Sequence, residues 1–291
     1  MSEDGLCSPK TIKRLMKKYG VSFNKRLGQN FLIDNNVIGN IIERSGITAG
    51  DAVLEIGPGA GALTAQLAKR AGKVVAVEID RGFVSMLSET MANYPNVEII
   101  NGDILKLNIK NLITEKFDGR PPYIISNLPY YISTPIIMSF FENDVGFVKM
   151  VLMVQKEVGE RMNAAPGGKH YGVLSVVMDF YCDSEILFDV SRNSFMPPPS
   201  VDSAVIALTR REKYNPIKTA LFFKVVRAAF SQKRKTLINS LCNTGGFGIP
   251  KNVFEEILGE LGIDLLCRGE TLTTEQFCRL SDKISLFGNY G

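Results

Sequence analysis

Near the start of the chain, apolar residues recur every three to four positions. In "SPKTIKRLMKKYG", Ile12, Leu15, Met16 and Tyr19 share one face of a predicted helix, and lysines and an arginine fill the other. Ser8 stands where a cap is wanted, Pro9 suits the first turn, and Gly20 suits the exit. A second helix is predicted after Asp34, with Val37, Ile38, Ile41 and Ile42 facing inward.

From Asp51 the rhythm changes to short apolar runs separated by helical stretches. "AVLEI" (52–56), "KVVAVEI" (73–79), "VEII" (97–100), "YIIS" (123–126) and "FVKMVLMV" (147–154) read as strands, with helices in "ALTAQLAKRAG" and "GFVSMLSETMANY". Strands this continuously apolar predict an α/β fold: a parallel sheet covered on both faces by helices. "SEILFDV" (184–190) and "SAVIALTR" (203–210) extend or edge that sheet, with the Pro-rich "FMPPPS" between them. After Arg211 the pattern becomes helical throughout, broken at Gly245-Gly246 and Gly248. The predicted division is therefore a large domain over 1–211 and a small all-α domain over 212–291.

Composition permits this and narrows the chemistry. With 291 residues, 45% of them hydrophobic, there is material for two cores. No run approaches the roughly 18 apolar residues of a membrane span, and "MSEDGLCSPK" has acids where a signal peptide would be basic and apolar. A cytoplasmic protein with no membrane partner is expected. Five scattered cysteines without a Cys-x-x-Cys pair argue for reduced, mostly packed thiols rather than disulfides or zinc. The single histidine, His170, lies in "APGGKHYG" and reads as a surface-loop residue, so no histidine-rich metal site is expected. The net charge of +4 is unevenly spread. Lys10, Lys13, Arg14, Lys17, Lys18, Lys25 and Arg26 form a basic arm without an acid, and Lys233-Arg234-Lys235 form a second cluster. Such local charge suits phosphate contacts.

The first strand leads into its helix through "LEIGPGAGAL", and ligands of doubly wound sheets bind beyond the carboxyl ends of strands. Glycines there let backbone approach a ligand. Gly57-x-Gly59-x-x-Ala62 also fits a dinucleotide fingerprint, so spacing alone selects no cofactor. Glu78 ends the second strand, where an acid can accept from both ribose hydroxyls, and Asp103 follows the third, where it can accept from an adenine amine. Together they specify an adenosine-bearing cofactor, either a nicotinamide dinucleotide or S-adenosylmethionine.

Asn127 ends the fourth strand on the same rim, in "IISNLPYY". An exocyclic amine on a nucleobase is a poor nucleophile, because its lone pair is delocalised into the ring. An amide oxygen and a neighbouring carbonyl can accept both amine hydrogens and aim that lone pair. Pro129 stiffens the turn and holds Leu128 extended, which can expose the Leu128 carbonyl. Tyr130 offers a flat face for a base, and Tyr131 reads as core packing.

"GQNFL" (28–32), "EIGPGAG" (55–61), "VEID" (77–80), "NGDIL" (101–105), "NLPYY" (127–131), "FMPPPSVDSAV" (195–205) and "AAFSQKRKTL" (228–237) occur in that order. The set resembles the KsgA/RsmA/Dim1 family of ribosomal RNA adenine dimethyltransferases across essentially the whole chain. The resemblance implies a Rossmann-like methyltransferase sheet with a C-terminal helical RNA-recognition domain. It implies S-adenosyl-L-methionine as cofactor, S-adenosylhomocysteine as product, and no metal. The implied reaction dimethylates two adjacent adenosines near the 3′ end of small-subunit (16S) rRNA in ribosome biogenesis, with a monomer acting on an immature 30S-type particle. Carried over by position, Asn30 and Leu32 close over the cofactor and Gly57 and Gly59 line its methionine portion. Glu78 holds the ribose, Asp103 the adenine amine, and Asn127 sits between cofactor and base. Phe195 becomes a second stacking wall beside Tyr130, and Lys233, Arg234 and Lys235 contact RNA. The basic element reads Gln-Lys-Arg-Lys where two arginines are commoner. The alternatives are a large-subunit rRNA methylase of the Erm resistance type, a nicotinamide dehydrogenase, and a non-catalytic assembly or transcription-factor role.

Overall fold

The computed structural model describes residues 3–23 and 29–287. Lys25, Arg26 and Gly28, named above, lie outside the described residues.

The strands are β1 (Phe31–Leu32), β2 (Ala52–Ile56), β3 (Lys73–Glu78), β4 (Val97–Asn101), β5 (Tyr123–Asn127), β6 (Lys149–Gln155), β7 (Cys182–Val190), β8 (Phe195–Met196) and β9 (Ser203–Arg210). Seven of them form one sheet in the order β4-β3-β2-β5-β6-β9-β7. β2 to β6 run parallel, and β9 pairs antiparallel with β6. The antiparallel strand is thus built into the sheet and β7 forms its edge. Successive positions such as Val53 and Leu54, Val74 and Val75, and Ile124 and Ile125 are all buried. Side chains alternate between faces along a strand, so both faces are covered.

The helices that frame this sheet begin with α1 (Pro9–Tyr19), α2 (Asn35–Ser45), α3 (Ala62–Arg70) and α4 (Arg81–Thr90). They continue with α5 (Ile109–Phe117), α6 (Ser133–Glu142) and α7 (Lys156–Met162). Asp34 caps α2 by accepting from the amides of Asn36 (3.0 Å) and Val37 (3.4 Å). Ser8 occupies the cap position of α1, but its side chain makes no cap bond. Pro9, the first helical residue, leaves the first turn one unpaired amide fewer. Ile38, Ile41 and Ile42 of α2 pack with Leu63 and Leu67 of α3 against Val53, Val74 and Ile125.

The chain divides into two compact units, Met1–Gly159 with Glu185–Arg210, and Glu160–Ser184 with Arg211–Gly291. A single boundary after Arg211 therefore needs correction, because 160–184 belongs with the helical unit. That unit holds α8 (Val173–Tyr181), α9 (Thr219–Phe230), α10 (Leu237–Thr244), α11 (Lys251–Glu260) and α12 (Thr274–Ser285). Phe180 of α8 stacks on Phe222 of α9 at 4.5 Å, the Tyr171 hydroxyl donates to the Leu272 carbonyl (2.7 Å), and Arg211 pairs with Asp179 (2.6 Å). His170 lies in this unit, 3.7 Å from a Glu160 carboxylate oxygen. No helix among the described residues is long and apolar enough to cross a membrane.

Candidate active site

After β2 the chain moves outward to β3 and β4, then returns to place β5 against the other side of β2. This reversal is the switch point at which open α/β sheets bind ligands. Leu54 pairs with Ile124, which carries Gly57 and Asn127 to the same level of the rim. Beyond them opens a cleft lined by residues of the first unit only.

The glycine loop forms one wall. Gly57 and Gly59 adopt φ of +67° and +56°, conformations that side chains disfavour. A Cβ on Gly59 would also lie 2.6 Å from Cε1 of Phe31, so the ring rests directly on the loop. Phe31 is held there by the β1–β8 pairing and by Phe83, whose ring centre is 5.2 Å away. Leu32 shares that pairing with Phe195 across the strands. Asn30 and Leu32 both line the cleft.

Glu78 is buried at the end of β3. It accepts the Gly59 amide (3.2 Å) on one oxygen and the Asp80 amide (3.0 Å) on the other. Burial raises its pKa, and these two amides partly offset the rise. Each oxygen keeps a further lone pair for an incoming donor. Asp103 accepts the Leu105 amide (3.1 Å) and faces Lys106 at 3.7 Å.

Asn127 is the most constrained polar group. Its amide nitrogen donates to the Asn30 carbonyl (3.1 Å), an obligate acceptor that fixes which end of the amide points which way. Asn127 Oδ1 is left buried in the cleft wall without a hydrogen-bond partner. An orphaned buried acceptor costs about 1–3 kcal/mol, so a ligand donor at this position would relieve it. The Leu128 side chain is buried and its amide donates to the Met153 carbonyl (3.1 Å). Pro129 packs towards Gly57, the two separated by 3.5 Å from where a Gly57 Cβ would stand.

Tyr130 lines the cleft, and its hydroxyl bonds Ser203 on β9. Burial pushes the phenol up to about 12, so it stays neutral. Phe195 does not line the cleft. It is buried behind Tyr130, edge to face at 6.4 Å, so the structure makes it a support for that ring and not a second wall. Tyr131 also departs from expectation: it is 49% exposed and lines the cleft instead of packing in the core.

Glu55 was not singled out by sequence. It points from β2 into the cleft wall with Oε2 unpartnered, and it is buried. Desolvation pushes its carboxyl up to about 8, Glu78 adds to the rise, and the nearby Thr64 hydroxyl opposes it, although Thr64 Oγ1 lies outside hydrogen-bonding geometry. Lys233, Arg234 and Lys235 are exposed in the turn between α9 and α10 of the helical unit, and none lines the cleft. Among the described residues no group of three or more His, Cys, Asp or Glu could hold a metal ion.

A glycine loop, two strand-end acids and an amide at the switch point of a mostly parallel sheet form the rim of a Rossmann-like fold, and the solved structures similar to it make it that of a methyltransferase. A dimethyladenosine transferase from Plasmodium falciparum has a similar structure, with TM-score 0.71 and 28% identity over 85% of this chain and 94% of that one. The 23S rRNA methyltransferase ErmE is also similar, with TM-score 0.66 and 26% identity over 88% and 100%. The family model for ribosomal RNA adenine dimethylase matches residues 20–284, and the chain belongs to that family. The ribosomal RNA small subunit methyltransferase A of Clostridioides difficile is 48% identical over 97% of this chain and 98% of that protein. The protein of the same name from Alkaliphilus oremlandii is 45% identical over 97% and 99%. Both are closer in sequence than the Erm-type structure, and the chain is an rRNA adenine dimethyltransferase of the small-subunit type.

Proposed function

We propose that the cleft binds S-adenosyl-L-methionine and that the enzyme dimethylates two adjacent adenosines near the 3′ end of 16S rRNA. The observation that carries this reading is the buried, unpartnered Asn127 Oδ1, which demands a donor at the rim. The residues present fit the cofactor. Glu78 has spare lone pairs for two ribose hydroxyls, Asp103 can accept an adenine amine, and Gly57 and Gly59 hold the positive φ that turns the loop tightly at the rim. Asn30 and Leu32 cover the methionine end.

The bound cofactor supplies an electrophilic methyl on a sulfonium, leaving as S-adenosylhomocysteine. The chain's part is positioning and fixed dipoles. Asn127 Oδ1 and the Leu128 carbonyl accept the two amine hydrogens and direct the nitrogen lone pair. Pro129 holds that turn, and Tyr130, braced by Ser203 and Phe195, stacks on the base after it leaves its helix. A monomethylated amine has one hydrogen left, so one acceptor loses its partner in the second transfer. Lys233, Arg234 and Lys235 contact rRNA phosphates from the helical unit, and a cytoplasmic monomer acts on an immature 30S-type particle.

Methylation assays on small and large subunits from cells lacking the gene test this. Dimethyladenosine should form in the small subunit alone. Asn127→Ala should lower turnover at least a hundredfold while most S-adenosylmethionine affinity remains; turnover near the wild-type rate would remove Asn127 from its role.

A further inference from the structure

The face of α1 that points away from the protein has no structural task. At roughly 100° per residue, Lys10, Lys13, Arg14 and Lys17 fall within about 100° of arc. Lys18 flanks them, and the helix contains no acid. Ile12, Leu15 and Met16 occupy the opposite side and are buried. Lys10, Lys13 and Lys17 are exposed and make no ion pair among the described residues.

The helix is also firmly placed. Its apolar face packs with Phe31, Ala60, Phe83, Met86 and Leu87, and Phe31 and Ala60 are themselves walls of the cleft. At its end, Lys18 and Tyr19 both bond Glu89 of α4, and the Val21 amide closes the last turn on the Met16 carbonyl (3.0 Å). The cations are therefore carried on a fixed element of the unit that contains the site. Lys10 and Lys17 stand about 10 Å apart along the axis at ~1.5 Å per residue.

We infer that the Lys10–Lys13–Lys17 face of α1 is a second phosphate-binding surface for the rRNA substrate, held in register with the cleft through Phe31. It rests on the function proposed above and extends it to a surface outside both the cleft and the cluster at Lys233. A membrane is the poorer partner. Surface-binding helices insert an apolar face, and here that face is consumed by the core. Ordering along a polyanion needs only the charges.

The test is binding of in vitro transcribed small-subunit rRNA by the full-length wild type and by K10Q/K13Q/K17Q, between about 50 and 300 mM salt. Each lost phosphate contact removes ~0.7–0.9 from the slope of log affinity against log salt, so the variant's slope should fall by about two to three. S-adenosylmethionine affinity and thermal midpoint should match the wild type, since none of the three residues touches the cleft or the core. An unchanged slope, with the wild type still methylating small subunits, overturns this inference alone. A wild type that binds no small-subunit rRNA overturns it together with the proposed function. Binding to anionic phospholipid vesicles that the variant loses, with the RNA slope intact, assigns the face to lipid and overturns it as well.

Discussion

Replacing Glu55 by glutamine should stabilise the protein without its cofactor, and the gain should grow with pH. Glu55 is 2% exposed, one carboxylate oxygen has no partner, and the Glu78 carboxylate is its charged neighbour. Burial raises its pKa from 4.5 to about 8. The folded state therefore binds a proton that the unfolded state has released. Stability linked to this group is complete below about pH 4.5 and is lost as pH rises towards 8. At ~1.4 kcal/mol per pH unit across that window, Glu55 costs the wild type roughly 3 kcal/mol between pH 5 and pH 8. Glutamine keeps the shape and does not titrate. Urea unfolding of both proteins at pH 5 and pH 8, without cofactor, reads the difference directly. The gap should shift in favour of Glu55→Gln by roughly 3 kcal/mol at the higher pH. A gap independent of pH would show that Glu55 ionises as an ordinary surface carboxylate and would refute the reasoning. Binding of S-adenosylmethionine, the cationic cofactor proposed above, would be linked to the same proton. At pH 7, calorimetry in two buffers of different ionisation heat should show release of up to one proton in the wild type and none in Glu55→Gln.

Further changes probe the cleft and the helical unit. Gly59→Ala puts a Cβ 2.6 Å from Phe31 at φ +56° and should weaken S-adenosylmethionine binding at least tenfold; adding Phe31→Ala should restore part of it, and no recovery would place the clash elsewhere. Tyr130→Phe keeps the ring and loses only the Ser203 bond, so kcat/KM for rRNA should change little, whereas Tyr130→Ala should lower it roughly 5- to 150-fold, the equivalent of ~1–3 kcal/mol of stacking. Equal losses in the two would assign the role to the hydroxyl. Neutralising Lys233, Arg234 and Lys235 should flatten the salt dependence of rRNA binding, and an unchanged slope would show that the turn faces away from RNA.

What the sequence disclosed follows from how each feature is encoded. β2, β3, β5 and β6 were legible because they are apolar on both faces, and the start of α2 after Asp34 because the helical apolar spacing begins there. The segment 160–184 was not. Its apolar residues say that it is buried but not in which core, and Phe180 chooses the helical one through Phe222, far along the chain. The β1–β8 pair is two residues on each side, too short for any periodicity, yet it sets Phe31 on the glycine loop. Tyr131 was misread for a local reason. Residues 130–132 form a 3-10 turn, in which successive side chains diverge by about 120°, so Tyr130 can be braced against Ser203 while Tyr131 stands at the open rim.

Asn127 shows where the two kinds of information meet. The chain places an amide at the end of a strand beside a glycine loop, and that suffices to suspect an acceptor for an amine. An amide has two ends, however, and nothing within "NLPYY" selects between them. The Asn30 carbonyl does so, from 97 positions earlier, by taking the nitrogen and leaving the oxygen buried without a partner. In the proposed reaction, Asn30 would therefore act on the substrate amine through Asn127 as well as through its own place in the cleft wall. Because the contact uses the Asn30 backbone, the Asn30 side chain can vary without reversing Asn127, and a shift of the 29–32 segment would disturb the cofactor cover and the amine acceptor together.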